Sequence, residues 1–561
     1  MLRKMTALLA TTALAALGLV GLTAAPAAAA AAAVETEQEL RDAFGDADVT
    51  SIVLHNNIDL TDCVEGEVYR DSVNDVVLDG AGHTIEQTCD NQRILSLEGE
   101  STLTLQNVTL TGGFASGNGG AVITDGGVVV TDTTLTGNEA SGHAGAIRAD
   151  GSVTLTNATV TNNESGSNGG AINALGDVTI TASTFTGNIA DNRAGAVHAG
   201  GDVTIINSTL NDNHGHGGDG GAVRAQADVS VTGSHLIGNT AQGRGGAIYA
   251  NTGDVAITES TLSGNRAEGS GGAIRGHGVN VIDSTLHGNT SDERGGAIIA
   301  QDRPDGVVTV SGSTLSGNHA EESGGAIWAR VAVVLTNSTV TGNSAGVHGG
   351  AIDLGTGTGP LADDAVIVLR HSTLVGNEAP EGASLTAHPD LDGDVAAFGS
   401  VIIGPVGGDN CVFGGDMDVQ SEGHNVSDDD SCALTDPTDT ETGADLQLGA
   451  LADNGGLTDT MLPAAGSLLI DAIPAGDCHP EVGTDQRGVE RPQGEGCDIG
   501  AVEVTAADHA PDPGTDPTDP VADDSLADTG SRIALVLATA ALLLAAGAGL
   551  VIAGRRRRAL T

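Results

Sequence analysis

The sequence predicts an all-β chain built as a single-stranded parallel β-helix, and three observations carry that prediction. First, a Gly-Ala-Ile/Val motif, in most copies preceded by a second small residue, recurs with its alanine at Ala121, Ala146, Ala171, Ala196, Ala222, Ala247, Ala273, Ala297, Ala326 and Ala351, mostly in steps of 25 or 26 residues. Second, each step contains short runs such as Val153-Thr154-Leu155-Thr156, in which apolar side chains alternate with hydroxyls as on a strand with one buried face. Third, aromatic residues are 1% of the 561 residues while glycine numbers 84, so a thick core cannot form and small residues must fill a thin one. A repeat of this length without a helical period cannot bury its apolar face alone, so copies must stack strand on strand.

The elements follow in order. Arg3 and Lys4, an apolar run from Leu8 to Leu22 and an alanine-rich exit have the layout of a secretory signal peptide over residues 1–33, with cleavage expected between Ala25 and Ala33. Glu35 to Phe44 has helical spacing with Leu40 and Phe44 on one side. It predicts a short capping helix over the first coils (34–101), where a bare strand edge would invite aggregation.

The repeat body spans 102–380. Within it a large apolar residue followed three positions later by asparagine places Asn138, Asn163, Asn188, Asn213, Asn239, Asn265, Asn289, Asn318, Asn343 and Asn377 at the same period. Coils stack about 4.8 Å apart, so each amide can donate to the side-chain carbonyl of the next, a structural ladder that satisfies buried polar groups. From each asparagine to the next motif alanine is 8 residues in all but one coil, whereas the other arm of the coil varies from 16 to 26, with its extra residues in Gln301 to Gly306 and Gly355 to Ala365. Insertions on one edge of a solenoid point to its binding side.

Residues 381–504 are expected to form the last coils and their cap. A Pro/Asp-rich stretch, 505–525, cannot bury enough apolar surface to fold and reads as a disordered, extended spacer. The chain closes over 526–561 with Leu526-Ala527-Asp528-Thr529-Gly530, an apolar run over 533–553 long enough for one transmembrane helix, and Arg555 to Arg558.

The formal net charge is −52. Loss of both ends would remove 7 of the 22 basic residues, including Lys4, the single lysine, and leave 15 against 74 acids. Such a chain repels nucleic acid, which is excluded as a partner. Six cysteines, Cys63, Cys89, Cys411, Cys432, Cys478 and Cys497, lie outside the repeats and read as disulfides of an exported protein. Cys63 and Cys89 stand 26 residues apart, one coil, so stacking brings them into bonding range; Cys411 with Cys432 and Cys478 with Cys497 are paired by proximity alone.

No catalytic residue or cofactor is assigned. Glycan-cleaving sites need convergent acids. His214-Gly215-His216 and Gly276-His277-Gly278 read as solvated turn histidines and Asp363-Asp364 as a polar loop tip. Asp390-Leu391-Asp392-Gly393-Asp394 has spaced acids that suit calcium but lacks a complete calcium loop.

Three resemblances attach to these motifs. Gly-Gly-Ala-Ile/Val alternating with apolar-x-x-Asn over Thr102 to Asn377 resembles the repeat of chlamydial polymorphic outer membrane proteins and related surface proteins. That likeness implies a right-handed, pectin lyase-like solenoid. The chain departs from the pattern where most copies carry Leu or Val in place of Phe, Phe185 excepted, and no autotransporter barrel follows. Leu448 to Glu503 looks like the C-terminal part of the choice-of-anchor Q domain of β-helix surface proteins.

Leu526 to Gly530 with its apolar run and arginines resembles a Gram-positive cell-wall sorting signal. The pentapeptide has Ala527 where LPxTG has proline, the form read by class E sortases of high-GC bacteria. It implies cleavage between Thr529 and Gly530 and transfer to peptidoglycan. The expectation is a secreted, wall-anchored structural or adhesive stalk with an unidentified surface ligand. The alternatives are a polysaccharide lyase or hydrolase and a cation-binding envelope protein.

Overall fold

A computed structural model describes residues 31–300, 306–356 and 365–509. Most of the signal peptide, the spacer, the sorting pentapeptide, the apolar run at 533–553 and Asp363-Asp364 lie outside these residues. No helix among the described residues is long and apolar enough to cross a membrane. Ala32–Val34 form the first strand, paired with Ile52 to Leu54, so the folded body takes in the last residues of the stretch read as signal peptide.

The body is a right-handed-type parallel β-solenoid of about 15 turns, the hand that a strand–crossover–parallel strand connection almost always takes. One coil shows the plan. Ile147–Ala149, Val153–Thr156, Thr159–Thr161 and Glu164–Ser165 are four short strands. Each pairs in parallel with its counterpart one coil on: Ile147 with Ile172, Val153 with Val178, Thr159 with Thr184, Glu164 with Ile189. The four columns build sheets of 14, 16, 16 and 12 strands, here the first to fourth sheets in that order. Ala146, Ile147, Ala149, Val153, Leu155 and Val160 point inward and are fully buried. Two of those six are alanine, which is why the core needs almost no aromatic rings.

The Gly-Gly-Ala motif sits where the fourth sheet turns into the first. Gly245 has φ +67°, the left-handed region, while a Cβ on Gly246 would lie 2.0 Å from the Gly272 carbonyl oxygen of the next coil. One glycine is required by its dihedral and the other by close approach of neighbouring backbones.

The N-terminal end is closed by the helix Glu37–Gly45, with Thr36 as N-cap and Leu40 and Phe44 buried against the first coils. Arg70, fully buried in an inward position, donates to the carbonyls of Phe44 (2.9 Å), Asp46 (2.9 Å) and Ala47 (3.3 Å), satisfying the C-terminal end of the helix. The disulfides join Cys63 to Cys89, Cys411 to Cys432 and Cys478 to Cys497, with Cα separations of 5.4, 4.8 and 5.8 Å.

The C-terminal region differs from the expected cap. Cys432 and Leu434 close the last coils, whereas residues 446–503 fold back as a strap along the outside of the third sheet. Phe398, Val401 and Val426 of the coils meet Leu446, Leu469, Ile473 and Ile499 of the strap in a second small core. These coils carry enough outward apolar surface to bury a strap sideways, and a side seat leaves the end to the disulfide-tied loop.

Candidate functional site

The ladder asparagines lie inside the turn between the third and fourth sheets, all at most 1% exposed. Each amide nitrogen up to that of Asn343 donates to the side-chain oxygen of the next asparagine, as Asn239 does to Asn265 at 3.0 Å, and to a backbone carbonyl of the previous coil, here Leu210 at 2.8 Å. The same oxygen accepts a backbone N–H, so two donors are satisfied per acceptor. Five residues before the asparagines from Asn188 onward runs a second ladder that sequence reasoning missed. The N–H groups of Ser183, Ser208, Ser234, Ser260 and Ser284 each donate to the hydroxyl one coil on, at 3.0–3.1 Å. Its signal was the serine recurring at a fixed offset from the asparagine.

The outward face of the first sheet has a different character. Its central positions form one column: Tyr69, Ser96, Ile123, Arg148, Asn173, His198, Arg224, Tyr249, Arg275, Ile299, Trp328 and Asp353. Every tyrosine and tryptophan of the chain is in it. From Arg224 to Asp353 these side chains are nearly buried although they lie outside the core. They pack on one another and on the turns beside them. The Arg224 and Arg275 guanidiniums lie 5.6 and 4.7 Å from the Tyr249 ring centre, and that of Arg294 lies 5.4 Å from the Trp328 ring.

Arg224 Nη1 donates to His198 Nε2 at 3.0 Å. The proton of the neutral ring is therefore on Nδ1, and the Asn173 amide 3.2 Å away must turn its oxygen toward it. Burial, then Arg224 and other nearby cations, push the His198 pKa down to about 3. Burial pushes Asp353 up to about 7, against the opposing pull of Arg294 and the Trp328 hydrogen bond.

Beside this column runs a rim, the residue immediately before each glycine-rich pair: His143, Asn168, Arg193, Asp219, Arg244, Ser270, Arg294, Ser323 and His348. Their carbonyls each accept an N–H from the coil before. Over the six coils from His143 to Arg275, column and rim together hold five arginines and one aspartate in twelve positions. The sequence carried this as arginine or histidine directly before Ala-Gly-Ala or Gly-Gly-Ala, and as Tyr249 and Trp328 two residues after the motif alanine.

Other candidates are not brought together. His277 is buried and His214 half-buried, so the reading of both as solvated is corrected: coil stacking covers turn side chains that look exposed in sequence. Asp392 and Asp394 are exposed on one strand, and no group of three or more His, Cys, Asp or Glu among the described residues converges to hold a metal ion. An open depression of about 480 Å³ lined by Ala81, Gly82, Asn107, Val108, Thr109, Asp132 and Thr134 contains a single carboxylate. The ladder and disulfide residues are thus structural, and Leu526, Ala527, Asp528, Thr529 and Gly530 fall outside the described residues.

Comparison with known proteins agrees with this geometry. No curated protein and no solved structure matches the chain. Residues 234–251 and 312–330 match the repeat of the Chlamydia polymorphic membrane proteins, each segment running from a ladder turn through Gly-Gly-Ala-Ile to Tyr249 or Trp328 of the outward column. Residues 31–215, from the first strand through the first half of the solenoid, match the family described as a pectate lyase-like adhesive domain. The chain is therefore similar to adhesin-like β-helix proteins of the cell surface.

Proposed function

We propose that the chain is a wall-anchored extracellular β-helix that serves as an adhesive or structural stalk. The observation that carries this reading is the match of residues 31–215 to an adhesive domain, on a solenoid closed by a helix at one end and a disulfide-tied loop at the other. Closed ends suit a chain that presents its sides, because a bare strand edge would polymerise.

Anchoring rests on the C-terminal sequence. Leu526 to Gly530, the apolar run over 533–553 and Arg555 to Arg558 stand in the order a sortase substrate needs, the arginines holding the end in the cytoplasm while a class E-type sortase joins Thr529 to peptidoglycan. Thr529→Ala is expected to move the protein from the peptidoglycan fraction to membrane and medium. Unchanged wall attachment would end the sortase reading.

A further inference from the structure

The rim beside the outward column has a period of its own. Arg193, Arg244 and Arg294 recur at every second coil, with Asp219 and Ser270 between. At coil spacings of ~4.8 Å this sets the guanidinium-bearing positions about 10 Å apart along a straight line. Arg193 and Arg244 are exposed and make no ion pair among the described residues, whereas Arg294 pairs with Glu322 at 3.0 Å. The next coil is cut away for them. A Cβ on Gly218 would fall 2.7 Å from Arg193 Cγ, and one on Gly269 would fall 3.3 Å from Arg244 Cγ. The aliphatic stems therefore rest on glycine shelves while the charged ends reach solvent.

Beneath them Arg224 lies nearly buried beside neutral His198, and its Nε has no hydrogen-bond partner. Of the charges acting on Arg224, the carboxylate of Asp219 opposes Arg193 and Arg275, and burying a cation with incomplete counter-charge is costly. It is tolerated where an anion completes the site. The overall charge of −52 does not cancel this local excess, because charges beyond roughly 8 Å are screened at physiological ionic strength.

We infer that the rim is a binding track for a linear acidic polysaccharide with one anionic group per disaccharide, its acidic groups seated on Arg193 and Arg244. Guanidinium forks bind carboxylate or sulfate in two-pronged fashion. A step of two coils is close to the rise of an extended disaccharide, and glycine shelves leave room for the neutral sugar between acids. Tyr249 and Trp328 are too buried to stack on a sugar, and serve to hold Arg224, Arg275 and Arg294 in place.

The inference rests on the surface-protein reading, and its test separates the two. Full-length protein immobilised through a C-terminal tag is titrated at low salt with hyaluronan oligosaccharides, which carry one carboxylate per disaccharide, with neutral dextran and with polygalacturonate. Hyaluronan is expected to bind and dextran not. The double variant Arg193→Gln, Arg244→Gln is expected to weaken hyaluronan binding at least tenfold with an unchanged circular dichroism spectrum. No binding of hyaluronan, or binding that the double variant leaves unchanged, overturns the track. Tighter binding of polygalacturonate than of hyaluronan overturns the disaccharide register. A protein that remains attached to the wall and adhesive while ignoring hyaluronan leaves the surface reading standing and overturns only this inference.

Discussion

Asn239, in the middle of its ladder, makes four hydrogen bonds. It donates to the Leu210 carbonyl and the Asn265 side chain, and it accepts from the backbone and the amide of Asn213 at 3.1 and 3.0 Å. Asn239→Leu removes all four and leaves the backbone N–H of Asn213 and one of its amide protons buried and unpaired, at a cost of about 3 kcal/mol. Chemical denaturation of the variant should show it; unchanged stability would mean water replaces the side chain. Asp353 tests a different force. Its carboxyl titrates near 3.8 when unfolded and at about 7 when folded, because burial disfavours the anion more than Arg294 and Trp328 favour it. The folded state binds the proton more tightly. Stability contributed by Asp353 is therefore complete below about pH 4 and lost as pH rises to about 7. Asp283 and Asp498, pushed up to about 6, act in the lower part of that window. The melting temperature should rise on acidification from pH 7.5 to 6, and Asp353→Asn should flatten that rise.

At the scale of elements, what repeats was legible in the sequence and what docks once was not. The asparagine positions, the alternating strands and the helix with Leu40 and Phe44 inward all leave a local or periodic mark. The strap leaves none. Its polar contacts join an aperiodic segment to coils far away in sequence: Thr314 donates to the Asp459 carbonyl, Asn337 to that of Thr484, and Thr339 to Gln486, 145 to 147 residues apart. The rim arginines were missed for a related reason, since alternation over two coils is invisible at the one-coil period. Gln486 is the peg of the strap. Its amide lies within hydrogen-bond distance of Ser313, Thr314, Thr458 and Asp459, and its oxygen accepts from Thr339 at 2.7 Å. The side chain is 5% exposed. Gln486→Leu leaves those partners buried and unmet, so the strap should loosen by roughly 1–3 kcal/mol. Hydrogen exchange should accelerate over 458–502 while Val153–Thr156 stays protected; equal acceleration in both would mean that strap and solenoid open as one unit.

At the scale of the molecule, each coil touches only its neighbours, so stability is close to a sum of coil and interface contributions. Register is the one long-range condition. Ile147 pairs with Ile172 and Ile172 with Val197, Val153 with Val178 and Val178 with Val203, and the asparagine chain runs Asn163, Asn188, Asn213 at equal steps. Deleting residues 172–196 removes 25 residues, one coil, and joins Ala171 to Val197, which recreates Gly-Ala-Val at the junction. Ile147 then meets Val197, Val153 meets Val203, and Asn163 meets Asn213, each in the geometry its former partner had. The shortened protein should melt cooperatively within a few degrees of the parent and be shorter by about 4.8 Å along the axis. Deleting 172–191 removes fewer residues yet displaces every inward side chain of the following coil, turning strand faces outward and stranding the asparagines. That variant should expose apolar surface and lose its cooperative transition. If both deletions melt alike, register does not govern the stack, and the solenoid is held by its two capped ends instead of by coil-to-coil pairing.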